Sequence, residues 1–199
     1  ARECIRLAEP LINKGQHVRA TAALFVLGVA PLTDADVSRI EFPTQEQLTH
    51  VDTADLDAAI QMLFKTSQVG LADRLVDVLL ARDDSDRKAA LRLAIPVRYE
   101  LARDDDVLAL CDELIAIRPR DAWPHHVQAM VHRNQGRWEH FVDAAEAAIA
   151  IMRGSGEIAA VDVRELIDAY LKLGRTADAR REFDRLVNVD SRLRSEVPT

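Results

Sequence analysis

The chain has 199 residues, 48% of them hydrophobic, which is enough for a packed core, while 14 Gly and Pro together are too few for an all-β chain built on tight turns. A net charge of −7 and an aromatic content of 5% argue against nucleic acid as a partner, since neither a basic footprint nor a set of stacking rings is present. The acidic excess is confined to residues 1–117, which hold 20 acidic and 13 basic side chains against 13 of each in residues 118–199.

In chain order, Leu7, Ala8 and Leu11 precede Gly15, and Ala20, Leu24 and Leu27 follow it. This is one amphipathic helix on each side of a turn. Pro10 is a fault within the first helix, because a mid-helix proline removes a hydrogen bond. The second helix, residues 20–30, is apolar on every side but too short to cross a bilayer. A following insert, a preceding repeat or a partner must cover it. Residues 35–52 read as that insert. Asp34 caps a short turn carrying Val37 and Ile40, Pro43 breaks it, and Thr44 with Gln47 forms a capping box for a turn carrying Leu48 and Val51. Residues 33–57 hold seven acids against Arg39, which reads first as a solvated loop region and second as a dock for a basic partner.

The two-helix pattern resumes at residues 53–87. Leu56, Ala59, Ile60 and Leu63 mark one helix, Ser67, Gln68 and Gly70 the turn, and Ala72, Val76 and Leu79 the second helix. Asp83, Asp84 and Ser85 are placed to end this unit and cap the next. Leu91, Ala94, Ile95 and Leu101 share a helix interrupted by Pro96; Ala102 takes the turn, and Val107, Cys111 and Leu114 follow. Asp104, Asp105 and Asp106 suit the positive end of that following helix. In residues 122–159, Pro124 fits a first helical turn. Trp123, Val127 and Val131 run one residue out of phase with Gly136, so that turn is expected to hold an extra residue. Ala145 and Ala148 match the pattern, but Phe141 is large where a small residue is expected. RGSGEI, residues 153–158, is expected to lengthen the next connection.

The clearest copy is Leu166–Val189, LIDAYLKLGRTADARREFDRLVNV. Leu166, Ile167, Tyr170 and Leu173 form one apolar face; Ala179, Phe183, Leu186 and Val187 form another. Gly174 ends the first helix and Thr176 is placed to cap the second. Residues 100–117 align with residues 172–189 without a gap.

Residues, spacing and turn here resemble a tetratricopeptide repeat (TPR), a helix–turn–helix unit of about 34 residues. Leu166, Tyr170 and Phe183 fall on its large apolar positions, Ala179 on a small one and Gly174 on its turn, whereas Ile167 and Leu186 replace small residues. The resemblance implies five degenerate repeats, at 1–34, 53–87, 88–121, 122–159 and 160–194, with the insert at 35–52. Together they make one domain over 1–199: an all-α, α-solenoid of stacked antiparallel helix pairs, wound as a right-handed superhelix. A HEAT-like array is the rival architecture and keeps the fold class.

In that family the first helix of each unit lines a concave groove that binds peptides. Carried over residue by residue, the partner-binding positions are Asp57, Gln61, Phe64 and Lys65, then Arg92, Tyr99 and Glu100. The fourth copy adds His125, His132 and Arg133 with its shifted helix, and the fifth adds Arg164, Asp168, Leu171 and Lys172. The family's chaperone-tail branch uses a Lys and Asn clamp in its first unit; Ile5 and Glu9 stand there instead, against that branch.

Other chemistry has little support in the sequence. His125, His126, His132 and His140 cluster locally, but a metal site needs a third ligand at a suitable spacing, so no metal is expected. No phosphate-binding glycine loop, G-x-S-x-G or H-E-x-x-H motif occurs, and Cys111 falls on an apolar packing position, so neither catalysis nor a cofactor is expected. Cys4 and Cys111 lie about three repeats apart, which predicts no disulfide and fits a reducing compartment, with the cytoplasm favoured. No apolar run is long enough for membrane insertion. Ala1 in place of Met predicts a piece of a longer chain. The leading expectation is therefore a non-catalytic scaffold binding a peptide or partner protein. The alternative is a structural, oligomerisation or spacer module, self-associating through ends that lack capping helices.

Overall fold

A computed structural model describes residues 51–195, apart from 52, 66, 83–85 and 156–159. The repeat expected at 1–34, nearly all of the insert at 35–52, Cys4, and Asp83 to Ser85 lie outside the described residues. All regular structure among the described residues is α-helical. The helices are α1 (Thr53–Lys65), α2 (Val69–Leu80), α3 (Arg87–Glu100), α4 (Asp104–Ile117), α5 (Ala122–Asn134), α6 (Trp138–Ser155), α7 (Ala160–Lys172) and α8 (Thr176–Ser195). They belong to two compact units, Ala1–Asp106 and Val107–Thr199, divided within α4.

Four helix–turn–helix closures repeat one hydrogen-bond pattern. Ser67 N–H donates to Phe64 O at 3.1 Å and Gln68 N–H to Leu63 O at 2.8 Å; the same pair of bonds recurs at Ala102 and Arg103, Gly136 and Arg137, and Gly174 and Arg175. The first residue of each pair is left-handed, with φ of 61° at Ser67, 53° at Ala102, 69° at Gly136 and 71° at Gly174. This is the Schellman closure, which satisfies carbonyls left open at a helix end. Gly70, expected in the first turn, is instead the second residue of α2. The turn at Gly136 holds no extra residue: α5 ends two residues before Gly136 and α6 begins two after it, as α7 and α8 do about Gly174. The connection at 153–158 also differs from expectation. α6 has 18 residues where α4 has 14, so four added residues lengthen a helix, and Arg153, Gly154 and Ser155 are helical. Arg175, not Thr176, precedes α8, and α8 continues past Val189 to Ser195.

In the first unit α1 packs on α2 and α3, and α2 packs on α3. The contact follows from the apolar spacing: Leu56, Ala59, Ile60 and Leu63 of α1, Ala72, Leu75, Val76 and Leu79 of α2, and Ala90, Leu91, Ala94 and Ile95 of α3 are all buried. Each fully buried Leu or Ile contributes about 1.5–3 kcal/mol of transfer free energy. α3 runs through Pro96, while Leu101 lies past its end and is exposed. Asp86 caps α3 by accepting from Ala89 N–H at 3.2 Å. Arg98 Nη2 meets Asp77 Oδ1 at 2.6 Å and Arg103 Nη1 meets Asp73 Oδ2 at 2.6 Å, fastening α3 and its turn to α2. Arg87 Nη1 donates to Leu80 O at 2.7 Å and so satisfies a carbonyl at the end of α2.

In the second unit α6 packs on α5 and α7, and α7 packs on α8. One core joins them: Ala129 of α5, Phe141, Val142, Ala145 and Ile149 of α6, Val163, Leu166, Ala169 and Tyr170 of α7, and Ala179 of α8. Phe141 is buried although the repeat pattern asks for a small residue there, and Trp138 packs edge-on against it with ring centroids 6.1 Å apart. Phe183 and Val187, expected on the packed face of α8, are about half exposed, at 54% and 48%. Ala179 and Glu182 occupy the buried side of that helix instead.

Candidate functional site

The turns fix which residues of each first helix correspond. Counting back from Ser67, Ala102, Gly136 and Gly174 places Asp57, Arg92, His126 and Arg164 in equivalent positions. Phe64, Tyr99, Arg133 and Leu171 form a second set, and Lys65, Glu100, Asn134 and Lys172 a third. In this register His126, not His125, is the counterpart of Arg92, and His132 is the counterpart of Arg98, which points to a second helix. The one-residue shift read into the fourth copy is what misplaced the two histidines.

Within the first unit α1 and α3, the two helices that carry predicted residues, contact each other. Gln61, Lys65, Arg92 and Glu100 are exposed, while Asp57, Phe64 and Tyr99 are half-buried. Gln61 Nε2 donates to Asp57 Oδ1 at 3.2 Å one helical turn away. Phe64 and Tyr99 are thus half-buried rings on helices that also expose side chains of both charges. Such a surface can take an apolar side chain and hydrogen-bond the backbone beside it.

In the second unit Arg164, Asp168, Leu171 and Lys172 of α7 are exposed. Arg133 Nη1 donates to Glu165 Oε1 at 2.5 Å and so links the first helices α5 and α7. Lys172 sits with its ammonium 3.6 Å from the ring centroid of Trp138, a cation–π contact to the preceding second helix. His132 turns toward α6, where its ring centroid is 5.2 Å from that of His140. Its Nδ1 is buried without a hydrogen-bond partner. Burial, then His140 and Arg137, push its pKa below the ordinary 6.5, against the pull of Asp112 and Asp143. His125 is half-buried and is likewise lowered by burial, opposed by Asp112 and Asp121. Among the described residues no group of three or more His, Cys, Asp or Glu stands close enough to hold a metal ion.

The cavity beside His126, Met130 and Glu165 has a volume of about 10 Å³, room for a single water molecule. Cys111 is fully buried, and burial followed by Asp112 pushes its thiol up to about 12, so it is not a nucleophile at neutral pH. No helix among the described residues is long and apolar enough to cross a membrane.

Glu165 and Trp138 take part in these contacts and carry no repeat signature. A signal for Glu165 does exist in the sequence. Arg133 and Glu165 are opposite charges 32 residues apart, close to one repeat, as are Asp73 and Arg103 at 30. Opposite charges at about the repeat period are a signal that apolar periodicity alone does not carry.

No family model matches the chain, and no curated relative matches it. Solved structures do. The chain is similar to MamA from Desulfovibrio magneticus RS-1 (residue 41 to the end), at 14% identity and a TM-score of 0.60, over 99% of this chain and 97% of that one. It is similar to the RS-1 ArsTM double mutant of MamA, at 12% identity and a TM-score of 0.62, over 98% and 97% of the two chains. Another MamA crystal structure gives 13% identity and a TM-score of 0.63 over 100% and 99%. MamA is a TPR-like helical repeat protein, and at these identities the likeness carries the fold: this chain is an α-solenoid of helical repeats.

Proposed function

We propose that the chain is a non-catalytic scaffold, a single TPR-like array over residues 1–199, that binds a peptide or partner protein on its first helices. The observation that carries this reading is the pair α1 and α3, packed side by side with Phe64 and Tyr99 half-buried among exposed Gln61, Lys65, Arg92 and Glu100. Half-buried rings within a polar rim are the composition of a protein-recognition surface. Arg133, Arg164, Asp168 and Lys172 extend the same reading to the second unit, with His125 and His132 as flanking groups. No cofactor, metal or nucleic acid enters it.

The test is a cross-linking capture with a photoreactive residue at Phe64 or Tyr99, followed by affinity measurement on the captured partner. Changing Tyr99, Arg133 and Lys172 together to Ala is expected to weaken binding by roughly tenfold or more, as hot-spot truncations do. Equal binding by the wild type and the triple variant would refute it.

A second reading is self-association. Leu171, Phe183 and Val187 are large apolar residues exposed at 53%, 54% and 48% on α7 and α8. If they pair copies of the chain, its mass by sedimentation rises with concentration and Phe183→Glu returns it to the monomer. A concentration-independent mass removes this reading.

A further inference from the structure

The second unit holds a cleft of about 380 Å³ between α6, α7 and α8 that the scaffold reading leaves unused. Its apolar lining is Ile149, Leu166 and the ring of Tyr170. Three guanidiniums also line it: Arg153 from α6, and Arg181 and Arg185 from α8. Glu182, whose side chain is only 5% exposed, holds two of them there. Its Oε2 accepts from Arg153 Nη2 at 2.5 Å and its Oε1 from Arg185 Nη1 at 2.6 Å. Burial pushes the Glu182 carboxyl up, but Arg153 and then Arg185 more than offset this and hold it below the ordinary range, so it is ionised at neutral pH. Arg181 Nη2 is fixed separately by Asp178 Oδ1 at 2.7 Å. The remaining acid of the lining, Glu146, accepts the Tyr170 hydroxyl and lies 3.9 Å from Arg175 Nη2.

Each guanidinium presents five N–H donors in a fixed fork. The named contacts use one fork position on each of the three arginines and orient the rest. With Asp178 and Arg175, which pair with the lining groups, four arginines stand against three acids, so one positive charge is in excess. Both glutamates already serve as acceptors, which leaves donors as the unmatched chemistry of the cleft.

We propose that this cleft is a binding site for a phosphate-type oxyanion, held by Arg153, Arg181 and Arg185 with Glu182 as the positioning residue. A tetrahedral dianion offers several acceptor oxygens to three forks at once, which a single carboxylate does not. The volume admits a phosphoryl group together with the side chain that carries it. The ligand is either free inorganic phosphate or a phosphorylated side chain of a partner segment. The site lies among α6, α7 and α8, so it does not depend on the first-helix reading.

The test is an NMR titration of the full chain at constant ionic strength, following the arginine Nε–Hε signals. The probes are inorganic phosphate, N-acetyl-O-phosphoserine amide and, as control, N-acetylserine amide. Saturable shifts at Arg153, Arg181 and Arg185 with both phosphates and none with the control are expected. Tighter binding of the phosphoserine derivative assigns the site to a phosphorylated side chain; equal or weaker binding assigns it to free phosphate. Arg181→Gln with Arg185→Gln is expected to weaken binding roughly tenfold or more. Arg180→Gln, at a side chain 82% exposed and paired within α8 to Asp184, is expected to change nothing. If the double variant loses helicity, Arg181→Gln alone decides, because Arg181 is itself 53% exposed and pairs with Asp178 of its own helix. Shifts that grow linearly without saturating, or an equal loss in Arg180→Gln, would overturn the proposal.

Discussion

Ala102 stands in a turn that glycine serves elsewhere in the chain, and this makes the repeat turns testable one at a time. Its φ of 53° matches the 69° of Gly136 and the 71° of Gly174, and the hydrogen bonds of the three closures are the same. For an L-residue the left-handed conformation costs about 1–2 kcal/mol, because Cβ crowds the following carbonyl. Glycine escapes that cost but gives up about 0.4–1 kcal/mol through the greater freedom of its unfolded chain. The difference predicts that Ala102→Gly stabilises the protein by about 0.5–1 kcal/mol and that Gly174→Ala destabilises it by a similar amount. A Cβ added at Gly136 or Gly174 meets nothing within 4 Å, so no steric clash confuses the result. Urea denaturation followed by far-UV circular dichroism measures both changes as midpoint shifts at constant slope. Hydrogen exchange adds the location: Gly174→Ala should loosen α7 and α8 before α1 and α2. If Ala102→Gly destabilises, or Gly174→Ala leaves the midpoint unmoved, the argument that these turns share one strained closure is wrong.

Other outcomes follow from single contacts. Ile95 is fully buried, so Ile95→Ala is expected to cost about 2–5 kcal/mol in the same denaturation assay. Tyr170→Phe removes the hydroxyl that donates to Glu146 and keeps the buried ring; because Glu146 is partly exposed and can be rehydrated, the loss is expected to be only about 1 kcal/mol. The Cys111 thiol, buried and pushed up to about 12, is expected to react with an aromatic disulfide reagent at pH 8 only as fast as the protein opens; rapid labelling of the native state would contradict its burial. His132 has a folded pKa below its ordinary 6.5, so the folded state binds fewer protons than the unfolded state between those values. Stability is therefore expected to fall as pH drops from above 6.5 through the folded pKa, and His132→Gln should flatten that slope in thermal melts.

Apolar spacing alone was sufficient for the helix pairs from Leu56 to Leu114, since a step of three or four residues between buried positions is a property of one helix and needs no neighbour. Gly174 and Ala102 likewise marked their turns through a local backbone requirement. A weaker periodic signal before Gly136 leaves the turn length to the packing. Trp123, Val127 and Val131 suggest an extra residue before Gly136, but α5 ends two residues before Gly136 and α6 begins two after it, a turn of ordinary length.

What the sequence determined by itself is thus local: which residues are helical, which faces are apolar and where the chain turns. Only the tertiary structure decided that Phe183 and Val187 stay half exposed while Glu182 is buried, because that depends on which side of α8 meets a neighbour. It also decided that Arg133 meets Glu165, that Lys172 caps Trp138, and that three arginines converge around Glu182. Long charged side chains reach several partners with similar energy, and which partner they find is set by how closely the packed helices bring them together.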